Sequence, residues 1–261
     1  MGGGVALGVI WLDPVSMQIR TVVNRLRKGT KSLEFSAPVT HVYAPLEYAS
    51  EAVDLYLDRY ARKGVEALFL GMNPGPWGMA QTGIPFGEVD HVRRYLQIEC
   101  TVRRPRPEHP RRPVDGFDCQ RSEVSGRRLW SWVESRFDSV DDFFDRFFIW
   151  NWCPLAFLEE SGRNRTPDKL PAAERRPLEE VCDEALRGVV RSIAPDRIIG
   201  VGGYARKRAE TALADSGIPI DTILHPSPAS PMANRGWAPQ VERQLKDMGV
   251  VIDAIGSGSA Q

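Results

Sequence analysis

The sequence predicts an α/β fold in three α/β/α layers: a four-stranded, mainly parallel sheet covered by helices on both faces. Two observations carry this. Four short apolar runs, at 65–70, 146–151, 197–201 and 220–224, alternate with segments of helical spacing. Three of the runs end in a polar residue close to proline: Asn73 after the first, Asn151 at the end of the second, His225 after the fourth. Parallel strands bring such ends to one carboxyl edge, where open α/β sheets hold their ligands.

The chain divides into an N-terminal extension at 1–40, one domain at 41–252 and a flexible Gly/Ser tail at 253–261. The extension lacks a sustained period and reads as loosely attached. In the domain, Ala52, Val53, Leu55, Tyr56 and Tyr60 set a first helix over 47–62. Strand 65–70 follows, then a long Pro/Gly loop and a helix over 86–96 entered through Pro85. Residues 101–126 are rich in Arg and Pro and read as an ordered surface loop; 125–137 reads as helix. Strand 146–151 breaks at Cys153-Pro154. Leu178, Val181, Ala185, Val189 and Ile193 mark one face of an amphipathic helix over 177–193. Strand 197–201, a helix over 204–214, strand 220–224 and a last helix from 235 or 237 to 248 complete the order. No internal repeat is visible.

The formal net charge is +0 over 261 residues, so a nucleic-acid partner must be met by a local patch. Eight arginines face four acids between Arg103 and Arg128. Arg20, Arg25, Arg27, Lys28 and Lys31 form a second run; on composition alone both runs are ordinary solvated surface. Cys100, Cys119, Cys153 and Cys182 contain no close pair, which argues against a zinc site and points to reduced thiols in a reducing compartment. The apolar start, Gly2 to Leu12, has no basic flank and is too short to span a membrane. A soluble, intracellular protein is expected.

The organising stretch is Gly71-Met72-Asn73-Pro74-Gly75-Pro76-Trp77-Gly78-Met79-Ala80-Gln81-Thr82-Gly83-Ile84-Pro85-Phe86-Gly87. Three prolines and five glycines in seventeen residues continue neither strand nor helix. A stiff loop with an amide near one end and an aromatic near the other suits a flat polar ring. Taken singly, Asn73 is a turn residue, Asn151 a strand-end cap, His225 a structural histidine and Phe86 core. Gly202 and Gly203 lack the spacing of a dinucleotide cradle. Together the four carry chemistry. Asn151 offers a donor and an acceptor to a pyrimidine edge, Phe86 a stacking face, His225 positive charge or a hydrogen bond for a developing anion, and Asn73 a hold on water.

The first motif, with His225-Pro226-Ser227-Pro228 and Asn234-Arg235-Gly236-Trp237, resembles the signatures of the single-strand-selective monofunctional uracil-DNA glycosylases. Glu108-His109-Pro110-Arg111-Arg112-Pro113, Ser122-Glu123-Val124-Ser125-Gly126-Arg127-Arg128 and Asn151-Trp152-Cys153-Pro154-Leu155 support the likeness, which runs from about 45 to 250. The resemblance implies the uracil-DNA glycosylase fold and a DNA-repair enzyme that flips uracil from single- or double-stranded DNA, leaving an abasic site without lyase activity. It extends to 5-hydroxymethyluracil. It implies Asn73 and His225 as catalytic, and Met72, Gly75, Met79, Phe86 and Asn151 as base-binding. Ser227, Pro228, Ala229, Ser230, Pro231, Met232 and Arg235 would form the DNA wedge. No cofactor or metal is implied, and a monomer is expected, cytoplasmic (with the nucleoid) in a bacterium or nuclear in a eukaryote. Ala229 departs from the family, whose wedge is usually a large basic residue there; Trp77 is a milder variation. Two other readings stay open at this point: a glycosylase for deaminated purines, and a base-binding module without turnover.

Overall fold

The computed structural model describes residues 14–252. The tail expected at 253–261 lies outside them. Four strands form the main sheet in the order β3-β2-β6-β7, every pairing parallel: β2 (Ala67–Gly71), β3 (Phe147–Asn151), β6 (Arg197–Val201) and β7 (Ile220–Ile223). β2 and β3 are buried along their whole length, which explains their unbroken apolar sequences. Their register sets Gly71 beside Asn151. From β2 the chain passes to β3 on one side and then returns to the other side as β6, so the carboxyl ends of these strands flank a topological switch point.

A second sheet, which the sequence reading leaves out, is antiparallel: β1 (Val39–Tyr43), β4 (Ala156–Glu159) and β5 (Asn164–Arg165) in the order β1-β4-β5. These strands are short, and β4 continues an apolar run past Pro154, so no alternation marks it.

Helix α1 (Pro14–Lys31) corrects the expectation of a loose extension. Val15, Ile19, Val23 and Leu26 recur at helical spacing and are buried. The helix lies against α8 (Ala172–Ile193), where glycines permit close approach: a Cβ on Gly29 would come 2.8 Å from Val181, and one on Gly188 2.7 Å from Val22. The basic run is partly engaged internally, since Arg20 pairs with Asp54 and Asp58.

The remaining helices are α2 (Pro45–Tyr48), α3 (Ser50–Tyr60), α4 (Met79–Thr82), α5 (Val89–Arg94), α6 (Val124–Glu134), α7 (Val140–Arg146), α9 (Gly203–Ala212), α10 (Pro231–Asn234) and α11 (Trp237–Asp247). The helix foreseen over 86–96 starts only at Val89. Glu88 is its N-cap, accepting from His91 N at 3.2 Å, and Phe86 sits in the left-handed region at φ 53°. Phe86 is thereby a turn residue aimed by its backbone, not a helix residue. Among the described residues no helix is long and apolar enough to cross a membrane.

Behind the end of β3, Trp152 Nε1 donates to Asp183 Oδ1 at 2.7 Å, and Arg208 pairs with Asp183 and with Glu179. This buried ion pair locks the Trp152-Cys153-Pro154 turn directly after Asn151.

Candidate active site

The strand ladder continues into the loops. Trp152 N donates to Gly71 O at 2.9 Å and Cys153 N to Met72 O at 2.8 Å, binding the first motif to the turn after Asn151. Gln81 is buried and fully bonded: Nε2 donates to Pro76 O and Pro113 O, and Oε1 accepts from Asp115 N and Gly116 N. It fixes the proline-rich loop from within.

These constraints frame a cavity of about 360 Å³ at the carboxyl edge of the main sheet. Met72, Asn73, Gly75, Phe86, Asn151, His225 and Ser227 all line it. Met79 does not. Its sulfur sits behind Asn151 and accepts from Asn151 Nδ2 at 3.1 Å, so it bears on the cavity only through that amide. Asn151 Oδ1 is buried without a partner, an acceptor waiting for a donor. A Cβ on Gly71 would fall 2.0 Å from that oxygen and 2.7 Å from the Phe86 ring. Gly71→Ala is therefore expected to push both side chains out of place and to slow turnover at the cavity about 10²-fold, the scale of ångström misplacement. A single-turnover rate measurement on the folded variant checks this.

His225 follows the end of β7 by two residues, after Leu224. Its Nδ1 accepts from Ser227 N at 3.0 Å, so in the neutral ring the proton is on Nε2. Burial pushes its pKa down to about 4. A neutral ring with its proton on Nε2 can offer a hydrogen bond near pH 7 rather than a positive charge. Its ring centroid lies 6.2 Å from that of Phe86. Asn73 Nδ2 donates to Leu155 O at 3.3 Å, which fixes the amide and leaves Oδ1 as acceptor.

Beyond Ser227, the last residue of this segment to line the cavity, the chain forms a short exposed arch. Pro228, Ala229, Pro231, Met232 and Arg235 are exposed, Ser230 caps α10 by accepting from Ala233 N, and Met232 is 56% exposed.

Three residues without a role in the sequence reading enter here. Arg128 on α6 donates to Pro226 O at 3.1 Å, to Ser227 O at 3.3 Å and to Asn234 Oδ1 at 2.8 Å, clamping the arch. Asn164 on β5 donates to Pro74 O at 2.9 Å, and its Oδ1, also at the cavity, is buried without a partner. Glu123 places its carboxyl in the cavity wall beside Gly75 and Gly78. All three act across long stretches of chain, so no local pattern marks them.

A second cavity of about 320 Å³ lies between α1 and α8, away from every strand end. Among the described residues no group of three or more His, Cys, Asp or Glu is placed to hold a metal ion.

The family model of the Uracil DNA glycosylase superfamily matches residues 58–246, which contain the whole cavity wall. The crystal structure of wild-type SMUG2 from Pedobacter heparinus shares the fold, with TM-score 0.62 at 17% identity over 87% of this chain and 97% of that one. A single-strand selective monofunctional uracil-DNA glycosylase of Rattus norvegicus is 44% identical over 239 residues, 91% of this chain and 86% of its own length. The Bos taurus protein of the same name is 45% identical over 229 residues, 87% and 84% of the two chains. The chain belongs to the Uracil DNA glycosylase superfamily and, within it, to the single-strand selective monofunctional uracil-DNA glycosylases.

Proposed function

We propose that this protein excises uracil from DNA by hydrolysing the N-glycosidic bond, leaving an intact abasic strand. The observation that carries the reading is the convergence of Asn73, Phe86, Asn151 and His225 on one cavity. The base is flipped into it, since its glycosidic bond is out of reach inside a duplex. Phe86 stacks on the ring, a contact worth roughly 1–3 kcal/mol. The unpartnered Asn151 Oδ1 accepts from a ring N–H, which uracil has at N3 and cytosine lacks. As the bond breaks, charge builds on uracil O2 and the His225 Nε2–H meets it. Water held by Asn73 Oδ1 attacks C1′. An amide deprotonates water poorly, so the departure of the base drives the reaction. Met72 and Gly75 present backbone to the ring, and Met79 braces Asn151.

The reading includes 5-hydroxymethyluracil as a second substrate and a monomer acting inside the cell. It predicts that free uracil leaves a uracil oligonucleotide faster than hypoxanthine leaves its counterpart. Faster purine release would give the site to deaminated purines instead.

Ser227, Pro228, Ala229, Ser230, Pro231, Met232 and Arg235 form the wedge that enters the space left by the flipped base, with Met232 as its apolar tip. Ala229 contributes only a methyl group and no phosphate contact. Ala229→Arg adds one charge-assisted contact, about 1 kcal/mol net, and is expected to raise the double- to single-strand rate ratio about fivefold. An unchanged ratio would remove Ala229 from the wedge.

A further inference from the structure

Glu123 is the one carboxyl among the residues that line the cavity. It immediately precedes α6 but makes no capping bond to that helix. Its side chain turns instead beneath the first motif. A Cβ on Gly75 would lie 1.6 Å from Oε1, and one on Gly78 1.6 Å from Oε2. Each carboxyl oxygen therefore rests against a glycine α-carbon, a fit any larger residue would destroy. No N–H or O–H of a described residue donates to either oxygen.

The charged groups around it do not compensate a carboxylate. Glu88, at the foot of α5, is itself ionised: burial works against its charge, but hydrogen bonds from His91 and Ser122 pull its pKa down to about 2. His225, at the same cavity, is neutral. The guanidinium groups of Arg112 and Arg121 lie over the Trp77 ring, at 5.1 and 4.5 Å from its centroid. Glu123 is half-buried, and desolvation of its carboxyl beneath the loop, then the Glu88 charge, pushes its pKa up to about 7.

We propose that Glu123 is a positioning residue for base excision that works in its protonated form. The neutral carboxyl props the Gly75–Gly78 segment against the bound base. It also leaves the cavity wall free of negative charge when the base departs as an anion. An ionised Glu123 would face that anion across the cavity and disfavour it. The inference rests on the uracil-excision reading and adds a proton-dependent residue to it.

The test is single-turnover uracil release from a single-stranded oligonucleotide between about pH 6 and about pH 8.5, for wild type, Glu123→Gln and Glu123→Ala. The wild-type rate is expected to fall about tenfold or more across this range. Glu123→Gln keeps a neutral donor and acceptor, so it should match wild type at the acid end within about threefold and stay flat. Glu123→Ala, without the prop, should be slow at every pH. A Glu123→Gln variant that keeps the wild-type decline, or is more than about tenfold slower at the acid end while folded, overturns the proposal. Carboxyl NMR of ¹³C-glutamate wild-type protein decides independently of any variant's folding. The Glu123 resonance should titrate near neutrality, and higher still with an oligonucleotide carrying uncleavable 2′-fluorodeoxyuridine. Titration near the ordinary glutamate value of about 4.3 also overturns the proposal. Absence of uracil release by wild type at every pH would instead defeat the functional reading, and the resonance would still report on Glu123.

Discussion

His225→Ala is expected to slow uracil release about 10²- to 10³-fold, or roughly 2.7–4 kcal/mol, the loss associated with one preorganised donor to a developing oxyanion. The geometry makes the effect specific. Ser227 N–H occupies Nδ1, so Nε2 is the sole ring donor, and burial keeps the ring neutral. The donor is in place before the charge forms, and reorganisation at the moment of reaction is small. Binding of an uncleavable substrate should change far less than the rate, because the ground-state carbonyl demands little of the donor. A variant within about twofold of wild type would remove His225 from this role.

The same residue predicts a pH effect on stability with a definite sign. The folded ring has a pKa of about 4, below its ordinary 6.5. Its neutral form is favoured by the fold, so the stability linked to it is fully present above about pH 6.5 and is lost as pH falls toward 4. Melting temperatures of wild type and His225→Ala should therefore draw together, or cross, as pH is lowered through that window. Curves that stay parallel would show that His225 does not titrate there.

Asn73→Ala carries the second large effect, about 10²-fold or more in single-turnover rate, from loss of the group that orients the nucleophile. Its amide is pinned by Leu155 O at 3.3 Å, so the acceptor oxygen is aimed rather than mobile. Affinity for uncleavable DNA should stay within about threefold of wild type, since the role proposed for Asn73 is to hold water and not the ring. A rate within about fivefold of wild type would transfer the water to another acceptor. The free Asn164 Oδ1 at the same cavity would be the first to examine.

Much of this site was legible in the sequence because its parts sit at strand ends punctuated by proline and glycine. Such residues terminate an apolar run at a definite place, and a parallel sheet sends all such places to one edge. Asn73, Asn151 and His225 meet for that reason, and the Pro/Gly loop returns Phe86 to them through a left-handed turn. What escaped has physical causes too. The buried stripe Val15, Ile19, Val23 and Leu26 of α1 is a helical repeat obscured by basic residues on its other faces. β1 breaks its apolar residues with Thr40 and His41, β4 runs straight on from Leu155 without alternation, and β5 is two polar residues, so none stands out as a separate apolar run. The late start of α5 depended on Glu88 capping and on a left-handed Phe86, neither of which the apolar pattern encodes. Arg128, Asn164 and Glu123 reach their partners through tertiary packing alone.

Turnover of uracil at this cavity can be read by incubating the protein with single- and double-stranded oligonucleotides that carry one uracil, and resolving the strands with and without alkali. Free uracil is expected, with strand breakage only after alkali and fastest on the single strand, because an abasic site forms and no protein amine cleaves it. Tight binding without release would contradict turnover, and breakage without alkali would contradict a monofunctional mechanism.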